Sequence, residues 1–96
     1  MACDIHFAAD HPVGPGHFPG NPIIPGALIL DLVIGTLPGG ATGIRSAKFL
    51  HPVRPGQSLR VQWREASGQA ASFECRLAAC GTLVASGTIE TGAPVL

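Results

Sequence analysis

From Ile24 to Leu37 the chain is apolar almost all round, and beyond Leu59 it alternates. Leu28, Ile29, Leu30, Leu32, Val33 and Ile34 follow one another with no strict period of two. The run outlasts an ordinary strand. Pro25 stands where proline suits a first helical turn, and Pro38-Gly39-Gly40 supplies a stop. These residues predict one buried helix over 24–37, about 20 Å long at ~1.5 Å per residue. Farther on, Leu59, Val61 and Trp63 alternate with Arg60, Gln62 and Arg64. Ala71, Phe73, Cys75, Leu77 and Ala79 alternate with Ser72, Glu74, Arg76 and Ala78, and Leu83, Ala85 and Ile89 continue the pattern. Segments with one wet face predict antiparallel strands. Gly68 and Cys80-Gly81 fall where hairpin turns belong, and Cys3–Ala9 and Gly43–Phe49 predict two further strands. A helix apolar on every side must be enclosed. The expectation is an α+β fold, one domain over 1–96, with a sheet of about five strands wrapped round a central helix.

Composition narrows the function classes. Apolar residues make up 46% of the chain and charged ones 12%, the reverse of a disordered segment. The formal net charge is zero, which leaves no electrostatic case for nucleic acid or an anionic membrane. So short a chain buries a modest share of its surface, so an oligomer is expected. Met1 is followed by neither a basic stretch nor a long apolar run, and the apolar segment at Ile23–Leu37 is interrupted by Pro25, Gly26 and Asp31. A soluble, cytoplasmic protein is the expectation. Cys3, Cys75 and Cys80 form no metal-ligand spacing, and Cys75, in phase with Phe73 and Leu77, reads as a buried, reduced thiol. His-Pro-Val-x-Pro-Gly occurs at His11–Gly16 and again at His51–Gly56, which reads as two similar turns rather than a repeat architecture.

Asp31 is the chemical anomaly. It is the only ionisable group between His17 and Arg45, in the middle of the apolar run. A carboxyl buried there is either paired or keeps its proton, and a carboxyl holding a proton is what a general acid needs. The competing reading is a helix with one exposed edge on which Asp31 sits. Ala27 and Gly35, one turn to either side, leave open volume next to it. His17 lies in Gly14-Pro15-Gly16-His17-Phe18-Pro19-Gly20, a loop of restricted residues that could hold a base in place. His6 and His11 could be imagined completing a metal site with His17, but the expectation is that no metal is bound here. Gly26, at the start of the helix, would carry an unsatisfied N–H at the positive end of the helix dipole, suited to an oxygen that becomes negative during reaction.

The stretch His17-Phe18-Pro19-Gly20-Asn21-Pro22-Ile23-Ile24-Pro25-Gly26-Ala27-Leu28-Ile29-Leu30-Asp31 resembles the active-site segment of the 3-hydroxyacyl-acyl-carrier-protein dehydratases of fatty-acid synthesis, G-H-F-P-G-x-P-x-x-P-G-x-L followed by a helix carrying Glu or Asp. A second block, Ala47-Lys48-Phe49 with Pro52-Val53 and Pro55-Gly56, resembles their A-K-F-x-x-P-V-x-P-G-D. The resemblance implies a hotdog fold and a homodimer, or a multiple of dimers, in which the histidine of one subunit faces the acid of the other. It implies dehydration of a 3-hydroxyacyl thioester to the trans-2-enoyl thioester. His17 would take the C2 proton, Asp31 would protonate the departing hydroxyl, and the Gly26 N–H would hold the thioester carbonyl. No cofactor or metal is required. Phe18, Leu28 and Leu32 would wall the acyl tunnel. The substrate would arrive on an acidic acyl carrier protein or on coenzyme A, with Arg45, Lys48 and Arg54 as carrier contacts.

This chain departs from the pattern in several places. Leu32-Val33-Ile34-Gly35 stands where the family commonly has A-M-A-Q, the acid is Asp as in the branch that also isomerises, and tyrosine is absent altogether. Two nearer alternatives use the same acid, a hotdog thioesterase and an enoyl-CoA hydratase. A third is an acyl-binding module without turnover.

Overall fold

The computed structural model describes residues 2–8 and 23–92, with backbone alone at 65–67. The elements run β1 (Ala2–His6), α1 (Gly26–Gly35), β2 (Gly43–Phe49), β3 (Ser58–Ser67), β4 (Ala70–Leu77) and β5 (Leu83–Glu90). All five strands form one antiparallel sheet in the order β1-β3-β4-β5-β2. The expected α+β architecture is therefore present, with α1 against one face of the sheet.

Cross-strand register explains why the alternation works. Leu59 pairs with Leu77, Val61 with Cys75 and Trp63 with Phe73. Cys75 in turn faces Ala85, and Ala71 faces Ile89. All of these side chains are buried in one core with Ile29 and Val33 of α1 and with Phe7, Ile24, Leu37, Val53 and Val84. Each large aliphatic side chain removed from water contributes roughly 1.5–3 kcal/mol. The Trp63 and Phe73 rings meet at 5.5 Å between centroids in a tilted pair, an arrangement aromatic quadrupoles favour. Trp63 Nε1 donates to Thr36 Oγ1 at 2.8 Å, and that hydroxyl donates to the Val33 carbonyl at 2.7 Å. The sheet thereby satisfies the last turn of the helix and pins its C-terminal end.

Several details differ from the sequence reading. The first strand covers Ala2–His6 and not Cys3–Ala9, of which Ala9 lies outside the described residues, because Phe7 N–H turns to the Gln57 carbonyl. The helix spans Gly26–Gly35 instead of 24–37 because Ile24 donates its N–H to the Val53 carbonyl, and Pro25 serves as the N-cap. Ala79 is exposed in the Ala78–Cys80 turn, not on the buried strand face, since Gly81 N–H closes back on the Leu77 carbonyl and ends β4 there. Val84 is buried although it falls out of phase with Ala85, because the β4–β5 register shifts between Cys75 and Arg76.

Among the described residues the helix is not enclosed. Ile29 and Val33 are buried and Leu28, Leu30 and Ile34 lean on the core, but Ala27, Asp31, Leu32 and Gly35 form an open edge at helical spacing. β2 is open on the same face. Ile44 and Phe49 pair with the buried positions Ile89 and Ala85, yet they are 53% and 48% exposed. Of this edge strand, Phe49 alone reaches the start of the helix, at Gly26, among the described residues.

Candidate active site

Chemistry-bearing groups collect at the N-terminal end of α1. Pro25 lacks an N–H, and its carbonyl accepts from Leu28 and Ile29, each at 3.1 Å. Gly26 and Ala27 come next, and neither N–H has an acceptor among the described residues. These two donors lie at the positive end of the helix dipole. The chain from Leu50 to Val53 runs alongside, held by Leu50 N–H to the Val84 carbonyl at 2.7 Å and by Ile24 N–H to the Val53 carbonyl at 2.7 Å. Between the two segments lies a cleft of about 330 Å³, bordered by Ile23, Gly26, Ile29, Phe49, Leu50 and His51 among others. Apart from His51, the side chains that border it are apolar or aromatic.

Turn chemistry holds this cleft in place. Gln57 N–H donates to the Arg54 carbonyl at 3.2 Å across Pro55-Gly56, with Gly56 at φ 93°, a turn in which proline presets the first corner and glycine takes the second. The Arg54 N–H donates to Gln57 Oε1 at 2.8 Å, and Gly56 N–H reaches the Phe7 carbonyl at 2.7 Å, which ties the turn to the end of β1. The second His-Pro-Val-x-Pro-Gly copy is therefore a structural corner below the cleft. The first copy lies outside the described residues.

The predicted site residues fall in different places. Gly26 borders the cleft, and the Phe49 ring packs against it: a Cβ on Gly26 would stand 3.3 Å from three ring atoms. Asp31 lies on the exposed edge of the helix among the described residues and does not border the cleft. The reason is packing: the sheet covers the Ile29–Val33 side of α1, and none of the other described residues covers the opposite side. Leu32 shares that edge at 37% exposure, and Leu28 turns inward against the core. His17 and Phe18 lie outside the described residues.

The carrier contacts separate too. Arg45 Nε is 3.3 Å from Glu90 Oε1, and Lys48 faces the outer side of the sheet with Ser46, Gln62 and Arg64, away from the cleft. Arg54 stands at the corner below it. Sequence reasoning missed Phe49 and His51 as cleft residues. Phe49 figured only as part of a motif block and His51 only as part of a turn.

Comparison with known proteins decides the family. A family model described as ApeI-like, for ApeI dehydratase, matches residues 1–88. The chain belongs to the ApeI-like dehydratase family. Among its curated relatives, this family member is 43% identical to the 3-hydroxyacyl-[acyl-carrier-protein] dehydratase FabZ of Chloroflexus aggregans, over 57% of this chain and 47% of that one. It is 48% identical to the FabZ of Ligilactobacillus salivarius, over 49% of this chain and 43% of that one. The match thus spans somewhat less than half the length of these relatives. The ApeI-like fold is seen directly in the dehydratase heterocomplex ApeI:P from Xenorhabdus doucetiae, which superposes with a TM-score of 0.73 at 25% identity, covering 93% of this chain and 83% of that one. The hotdog architecture is confirmed by that likeness. No helix among the described residues is long and apolar enough to cross a membrane.

Proposed function

We propose that this chain is a dehydratase acting on 3-hydroxyacyl thioesters and that it works as a homodimer. The observation that carries the reading is the Gly26 N–H, without an acceptor among the described residues, in the wall of an apolar cleft on the helix that also bears Asp31. A thioester carbonyl accepting from Gly26 gains negative character as the C2–H bond breaks, and a preorganised donor stabilises that charge. The C2 proton passes to His17. The C2=C3 double bond forms as the C3–O bond breaks, and the hydroxyl takes a proton from Asp31 and leaves as water. The enoyl thioester remains, and a proton returned from His17 to Asp31 through solvent resets the pair.

The open face supports the dimer. Ala27 and Leu32 beside Asp31 on the helix, and Ile44, Phe49 and Leu50 at β2, are exposed apolar residues, and the outer edge of β2 has no strand beside it among the described residues. Exposed apolar edges of this kind mark interfaces. A second copy seated there takes the Asp31 carboxyl out of water. It also brings a second histidine loop to the helix. The dehydratase heterocomplex offers the rival occupant, a related but different subunit.

Crotonyl thioesters on coenzyme A and on a carrier protein test the reaction. Loss of the enoyl absorbance without free thiol is expected, with His17→Ala and Asp31→Asn each slower by roughly a hundredfold or more. Full activity in either variant overturns the residue roles, release of free thiol indicates a thioesterase, and no change with either ester indicates an acyl-binding module. Light scattering is expected to give a dimer. A chain that remains monomeric alone refutes the homodimer and favours a heterologous partner subunit.

A further inference from the structure

We infer that His51 binds the pantetheine-type arm of the substrate, by accepting a hydrogen bond from an arm amide N–H. The inference rests on the thioester reading of the cleft and assigns to it a residue that the family pattern leaves blank, since His51 occupies one of the two unspecified positions between Phe49 and Pro52. Three observations carry it. His51 borders the same cleft as Gly26, so a thioester held at Gly26 places its arm within that neighbourhood. The imidazole is oriented: Nδ1 is 2.7 Å from the Pro52 carbonyl oxygen, which can only accept, so Nδ1 carries the proton and Nε2 is the acceptor of the neutral ring. His51 is exposed and its only polar contact among the described residues is that carbonyl, so Nε2 is available to an incoming donor. The other cleft side chains are apolar or aromatic, and the thioester end of the arm shared by coenzyme A and acyl carrier proteins is a cysteamine amide. That amide N–H would be desolvated against such walls without an acceptor, a loss His51 prevents.

A substrate–variant cycle tests this. Crotonyl-N-acetylcysteamine carries the amide, and crotonyl S-propyl thioester does not. The parent protein is expected to show a KM for the amide ester lower by roughly three- to tenfold, the range one neutral hydrogen bond supports, and His51→Phe is expected to bring the ratio close to one. A ratio unchanged in His51→Phe overturns the assignment. Coenzyme A and carrier-protein esters are expected to lose equally in the variant; a loss confined to one of them overturns the shared-arm contact and points to that carrier's own surface. A second readout needs neither turnover nor the variant. With the imidazole neutral, saturated butanoyl-N-acetylcysteamine should shift the His51 Nε2 resonance of the parent protein, and butanoyl S-propyl thioester should not. Equal shifts or none refute the contact. If crotonyl esters are not turned over, the dehydratase reading falls, and the imidazole shift alone decides the His51 assignment.

Discussion

Replacing Gly26 with alanine sets two effects against each other at a single carbon. Gly26 has ordinary helical backbone with no positive φ, so alanine adopts its conformation without strain. In a helix interior that exchange gains up to ~1 kcal/mol. The new Cβ, however, would sit 3.3 Å from Cδ1, Cε1 and Cζ of Phe49, closer than a methyl group and an aromatic ring prefer. Three ring atoms at once cannot be relieved by a small rotation, so the ring must move as a body, and crowding of this kind costs about 1–3 kcal/mol. Gly26→Ala is therefore expected to lose up to ~2 kcal/mol. In a Phe49→Leu background the clash is gone, and the same alanine should be neutral or stabilising by up to ~1 kcal/mol. The coupling between the two sites is then about 1–3 kcal/mol, well above the ~0.5 kcal/mol scatter of independent sites. Urea unfolding of the four proteins at one fixed protomer concentration measures it, since a dimer's apparent stability depends on concentration. Additivity within ~0.5 kcal/mol would refute the contact between ring and helix start.

Two further perturbations bear on the sheet and the core. A Cβ on Gly87 would overlap the Ser46 carbonyl oxygen and stand 2.9 Å from Phe73 Cε1 and 3.1 Å from Ala47 Cα. Backbone atoms of a paired strand cannot step aside, so Gly87→Ala should cost about 3 kcal/mol or more, and thermal unfolding within ~1 kcal/mol of the parent would refute the close approach of β2 to β5. Burial pushes the Cys75 thiol up to about 11. The folded chain thus holds that proton more tightly than the unfolded one, whose thiol titrates near ~8.5. This contribution is whole below that value and is lost as pH rises towards 11, at roughly 1.4 kcal/mol per pH unit. Alkaline unfolding midpoints should show the slope, and Cys75→Ala should remove it; equal slopes in both proteins contradict the burial.

The alternation at Leu59, Val61 and Trp63 and at Phe73, Cys75 and Leu77 was legible because a half-buried strand records its two faces one residue at a time. The helix was legible in kind but not in extent. Its ends depend on Ile24 bonding to Val53 and on Trp63 reaching Thr36, contacts between residues far apart in sequence. Asp31 could be singled out as misplaced in an apolar run, but one chain's sequence does not say whether a neighbour's surface or its own sheet covers that side. Cleft residues were the least visible. Phe49 and His51 come beside Gly26 through a contact between distant residues, Ile24 N–H to the Val53 carbonyl, and neither carries a local signal of that meeting.

The strand order also sets a sequence of assembly. β3, β4 and β5 are joined by tight turns and zip together from local contacts, whereas β1 reaches β3 only when His6 finds Ser58, and β2 reaches β5 only when Phe49 finds Ala85. Both closures span long loops, and contacts of that range form late. The helix with Gly26 and Asp31 lies inside the first of those loops, between β1 and the rest of the sheet. Amide exchange should accordingly be slowest in Val61, Phe73 and Ala85 and fastest in the edges and in α1. A chain under thermal or chemical stress would then surrender its cleft while the three-strand meander is still intact, so whatever binds at the cleft is released ahead of global unfolding.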